Sequence, residues 1–150
     1  MAKARYDGLT PDMAAGQAGH VILRTLLSAV LAQAPGVLRN DVEATHDMRV
    51  AIRRLRTAMS TFSETLPKKL VADHCRATRR IGRRLGAVRD ADVHLAVLRA
   101  ALTGATEAEA PGIAYAIETL GARRRRSLAE FAIEYSQFDG DGFLAMLADG

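Results

Sequence analysis

Met48, Ala51, Ile52, Leu55, Met59 and Phe62 recur at three- and four-residue intervals. That spacing collects apolar side chains on one side of an α-helix and would scatter them over both faces of a strand. On the same helical wheel His46, Arg49, Arg53 and Arg56 gather on the other side, within a sector of about 80°. Arg54 stands apart from both groups. No carboxylate lies three or four residues from Arg49, Arg53 or Arg56, so the neighbouring ion pairs that usually neutralise a charged helix face are missing. Like charges at these spacings repel, and the segment accepts that cost. Two readings are open: an ordinary solvated face, or a surface built to hold an anion.

The helical period continues along the chain, and no alternating period-two stretch of useful length interrupts it. "LTPD" opens a first helix from about 11 to 33, with Thr10 as N-cap, Pro11 at the first helical position and an end before Pro35-Gly36. A second helix starts within "NDVEATHDM", runs to about Thr65 and stops at Pro67. A third spans roughly 68 to 86. "LGAVRDAD" makes a break, with Asp90 capping a fourth helix through about Leu102. "TGATEAEAPG" is a loop, rich in glycine and small residues. A fifth helix runs from near Pro111 to about Gln137, and "FLAMLAD" adds a final turn or two after "FDGDG". The fold class is all-α: an antiparallel bundle of about five to six helices with a basic groove, in a single domain over 1–150. Aromatics make up only 5% of the residues and Trp is absent, a composition that suits helices better than sheets.

We read no apolar run of membrane-span length and no signal-peptide pattern, and expect no membrane partner. The lone Cys75 rules out an intramolecular disulfide and fits a reducing compartment. A soluble cytoplasmic protein is the expectation.

The net charge of +4 is unevenly placed. From His46 to Arg89, twelve Lys/Arg face three acids, a balance of +9, which leaves −5 for the remainder. Nearly all of the basic residues are arginine, whose planar fork suits bidentate contact with phosphate oxygens. On the third helix Arg76, Arg79, Arg80 and Arg83 share a sector opposite Ile81, Leu85 and Val88. His74 falls with the apolar group and reads as a core or boundary histidine. Two amphipathic helices joined by a short proline-containing turn pack antiparallel, so the two basic stripes can face one groove. The run Arg123–Arg126 scatters around its helix. Arg124 alone falls within the stripe of Ile113, Ile117, Leu120, Leu128 and Phe131, from where a long stem reaches solvent or a shared groove.

Catalysis finds little support. Asp90 and Asp92 are two residues apart and so do not share a helix face; capping and pairing with Arg89 account for them. No phosphate-binding glycine loop, nucleophile elbow or His-Glu-x-x-His motif is present. His20, His46, His74 and His94 lie on four different helices without a Glu-x-x-His motif, and clustered arginines repel a divalent cation. We expect no enzyme activity, no metal and no cofactor.

"HDMRVAIRRLRTAMSTF" followed by "LGAVRDADVHLAVL" resembles the CHAD domain, the conserved-histidine α-helical domain. The upstream "LTPDMAAGQAGHVILRTLLSAVLAQAPGV" is similar to that family's opening helix. The resemblance implies a helical bundle with a basic groove that binds inorganic polyphosphate without breaking it down, and a place at polyphosphate granules. By position, His46, Arg49, Arg53, Arg54, Arg56 and Arg89 match its motif residues. Arg76, Arg79, Arg80, Arg83 and Arg124 join the candidate site on the wheel argument. Family domains are longer and made of two related helical halves, of which this chain matches the first. It is then either a fragment or a half-domain completed by association.

The leading rival is a nucleic-acid-binding module, because a phosphate backbone wants the same arginines. Against it, the basic segment holds one aromatic, Phe62, on the apolar face, which leaves nothing for base stacking. A third reading is a helical module whose arginines pair with the acids of a partner protein. The first helix is apolar over much of its circumference and needs more than one neighbour to cover it. A second copy of the chain, in a homodimer, is one source of that cover.

Overall fold

Arg39, Asn40 and Asp41 separate the first two helices. In the computed structural model, which describes residues 6–66, 68–138 and 140–148, helix α1 spans Ala15–Leu38 and α2 spans Val42–Thr61. Asn40 takes a left-handed φ of 69°, which asparagine tolerates better than most residues. Its N–H donates to the Val37 carbonyl and the Asp41 N–H to the Gly36 carbonyl, a Schellman closure. The Asp41 side chain then accepts from the Glu43 and Ala44 N–H groups and caps α2.

Two glycines let α1 and α2 lie close. A methyl group on Gly36 would sit 2.5 Å from the Ala44 Cβ, and one on Gly19 would sit 2.9 Å from the Phe62 ring. The first helix thus meets the second start to end, in antiparallel fashion. That closeness also accounts for a shift in bounds. The expected start at Pro11 is a non-helical turn closed by the Met13 N–H on the Thr10 carbonyl. The helix then runs through Pro35 because Gly36 and Val37 are buried, and burial outweighs the one backbone bond that proline forfeits. The second helix ends at Thr61, short of the expected Thr65, where the Phe62 N–H closes on the Ala58 carbonyl; Pro67 lies outside the described residues.

The largest departure is in the middle. The third and fourth expected helices are one element, α3, Lys68–Thr103. Ile81, Leu85, Val88, Ala91 and Leu95 are all buried and form one stripe straight through "LGAVRDAD". A helical glycine such as Gly86 costs about 1 kcal/mol, whereas each large apolar side chain buried gains about 1.5–3 kcal/mol. Packing wins, and Asp90 lies exposed inside the helix rather than capping one. Helices α4, Ala110–Ser136, and α5, Gly140–Ala148, follow; no strand occurs among the described residues.

Met59 beside Cys75, and Ile52 beside Gly82, set α2 antiparallel to α3. Arg80–Glu134 and Arg84–Glu130 do the same for α3 and α4. The core joins Leu23, Leu27 and Val30 of α1 to Met48, Ile52 and Leu55 of α2, with Leu85, Phe131, Phe143 and Leu147 from the remaining helices.

One expectation about α1 changes. By length and composition it is long and apolar enough to cross a membrane, contrary to the reading that no segment is. Arg24 is its sole charged residue apart from His20. Helix α2 packs on one side of it and α5 on another, with Leu31 against Gly140. Val21, Ile22 and Leu31 are half-buried and Leu38 is 50% exposed, so the cover within the chain is partial.

Candidate functional site

The outer side of the α2–α3 pair carries the arginines. Arg53 and Arg56 from α2 and Arg79 from α3 line one groove of about 560 Å³, with Met59, Val71 and Cys75 as its apolar floor. The buried stripe of α2 (Met48, Ala51, Ile52, Leu55, Met59) points inward, so helix periodicity leaves Arg49, Arg53 and Arg56 exposed. Seven residues back along α2 correspond to seven forward along α3. Carried on, that register sets Arg53 level with Ile81, Arg49 with Leu85 and His46 with Val88, so Arg83 and Arg89 stand within two residues of being level with Arg53 and His46. Arg83 is exposed, and His46 and Arg89 are half-buried. Arg49, Arg53, Arg56, Arg79, Arg83 and Arg89 have no carboxylate partner among the described residues.

The structure divides the remaining candidates. Arg76 pairs with Asp73 at 2.5 Å, and Arg80 with Glu134 at 2.8 Å. Both line a separate hollow with His74 and Phe138, away from the groove. The third-helix stripe is thus split, with Arg79 and Arg83 on the α2 side and Arg76 and Arg80 toward the α4–α5 turn. Arg54 is half-buried and turns toward α1, in a hollow with Tyr6, Ile22 and Leu26 that Arg53 also borders. His74 stacks on Phe143, with ring centres 3.9 Å apart, in the boundary position its wheel angle implies.

Arg124 is buried. Its Nε donates to Asp92 and its Nη1 to the side-chain oxygen of Asn40. Neither partner follows from sequence spacing, because Asn40 and Asp92 come from the α1–α2 joint and from α3. The one available hint was Arg124's place inside an apolar stripe, where an arginine needs a carboxylate. Asp92 is that carboxylate, not a partner of Arg89. Sequence reasoning also missed Ser60, Thr61 and Ser63, whose side chains border the arginine groove.

Titration shifts lie elsewhere. Glu109 accepts from the Thr106 N–H and hydroxyl, which hold it below the usual carboxylate range. Burial, and then the charge of Asp141, raises the Tyr135 phenol. Among the described residues no group of three His, Cys, Asp or Glu could hold a metal ion.

Fold and face together define an all-α module with an arginine-lined groove between two antiparallel helices. The CHAD domain family model matches residues 21–149, and the chain belongs to that family. No curated protein and no solved structure matches it.

Proposed function

We propose that the chain is a non-catalytic module that binds inorganic polyphosphate along the α2–α3 face, in the cytoplasm and at polyphosphate granules. One observation carries the reading: Arg53, Arg56 and Arg79 meet in a groove without a neutralising carboxylate. A row of such guanidiniums is costly unless an anion shares it. Polyphosphate offers the linear series of charged oxygens that arginine forks hold bidentately. From Arg79 to Arg89 the track is about 15 Å long at 1.5 Å per residue. Membership of the CHAD family supports the same assignment.

A nucleic-acid ligand fits less well. The groove lining contains no aromatic side chain, and Phe62 is packed against Gly19, so stacking has no platform. Binding isotherms for long-chain polyphosphate and duplex DNA, at equal phosphate and one salt concentration, separate the two. Polyphosphate should bind tighter, with affinity falling steeply as salt rises because contact with many phosphates releases many counterions. Binding on even terms would reduce the groove to a generic basic surface. Incubation with polyphosphate and Mg²⁺ should release no phosphate above a mock preparation.

A further inference from the structure

Helix α2 begins at Val42, level with Val93, but α3 continues to Thr103. Over that stretch, about 15 Å at 1.5 Å per residue, α3 packs on α4 and has no helix in line with α2. Val42, Val93 and Val97 are 46%, 45% and 63% exposed there. They floor a cleft of about 730 Å³ between α3 and α4. Arg89, Arg99 and Arg125 also line it, and the Arg125 guanidinium extends over Gly121, 3.5 Å from where a Cβ would stand. The one acid in the lining, Asp92, is already paired with Arg124. Within the lining, the cations left without a carboxylate partner are thus Arg89, Arg99 and Arg125.

We infer that the cleft docks an amphipathic helix of another protein, apolar along one face and flanked by Asp or Glu. Helix α2, whose first residue Val42 borders the cleft, already packs on α3 as such a helix would. A helix-in-groove contact needs apolar anchors at i, i+3 or i+4, and i+7, and three turns of exposed α3 supply their counterpart. Charge selects among occupants. A second copy seated there two-fold would bring the same arginines against themselves, whereas an acidic helix satisfies them and gains on-rate from the field. The polyphosphate reading plays no part in this; Arg89 stands at the junction of the two surfaces and is left out of the test.

A phage-displayed library of helical peptides, panned on the full chain with depletion on Val97→Asp, tests it. Val97 is exposed, so that variant should keep the parent's circular dichroism, melting temperature and polyphosphate binding. Enriched peptides should show apolar residues at helical spacing with acidic flanks. They should bind Arg99→Glu/Arg125→Glu at least tenfold more weakly, and Val97→Ala several-fold more weakly. Failure to enrich any Val97-dependent peptide, basic flanks, or equal binding to the charge-reversed variant would overturn the proposal.

Discussion

Arg124 on α4 and Asp92 on α3 form an ion pair whose side chains are only 10% and 7% exposed. The same guanidinium reaches Asn40 at the α1–α2 joint. One cation thus ties three parts of the chain together: α3, α4 and the α1–α2 joint.

Arg124→Met should therefore be costly. It leaves the Asp92 carboxylate buried without its cation, a situation worth about 3–5 kcal/mol. The double variant Arg124→Met/Asp92→Leu should recover most of that loss, because it removes both charges at once. Urea denaturation midpoints of the two variants decide it, and a neutral Arg124→Met would mean the pair does not hold the helices.

Gly36→Ala sets propensity against packing. Alanine favours a helix by about 1 kcal/mol over glycine, but the new methyl meets the Ala44 Cβ at 2.5 Å. That neighbour is too short to swing aside, so the two helices must separate. A net loss of about 1–3 kcal/mol, the range for overpacking, is expected by thermal melting; Gly86→Ala, with nothing within 4 Å, should instead raise the melting temperature.

Arg80 is tied to Glu134 beside the hollow at the α4–α5 turn, and does not line the α2–α3 groove. This pair is partly exposed, with side chains 46% and 20% accessible, so breaking it should cost under about 1 kcal/mol. Glu134→Gln frees one cation and adds +1 to the net charge. Polyphosphate should then bind somewhat more tightly with little change in stability, and unchanged affinity would show that Arg80 is too far from the track to matter.

Much of the fold is legible in residue spacing. The stripe from Met48 to Met59 gives α2 and its buried side, and the expected bounds Pro111 and Gln137 each fall within one residue of those of α4. The continuity of α3 is less legible, because a glycine and three polar residues at "LGAVRDAD" carry local preferences that only burial of Leu85, Val88 and Leu95 overrides. The division of the arginines is the least legible feature. The Asp73–Arg76 pair, three residues apart, can be read from spacing, but the wheel that groups Arg76, Arg79, Arg80 and Arg83 says nothing of Glu134, and none says that Asp92 meets Arg124. Those two partners are set by antiparallel register, a property of helix pairs rather than of any one segment.

In the function proposed above, Arg53, Arg56 and Arg79 hold polyphosphate in the groove between α2 and α3. Isothermal titration calorimetry of long-chain polyphosphate against Arg53→Ala/Arg56→Ala/Arg79→Ala tests it most directly, beside Arg123→Ala/Arg125→Ala/Arg126→Ala, which removes the same charge from α4. At about 1–3 kcal/mol for each hydrogen-bonded charge, the groove variant should lose at least about a hundredfold in affinity, and the α4 variant only a few-fold. Equal losses in the two would mean that net charge, and not the groove, binds the polyanion.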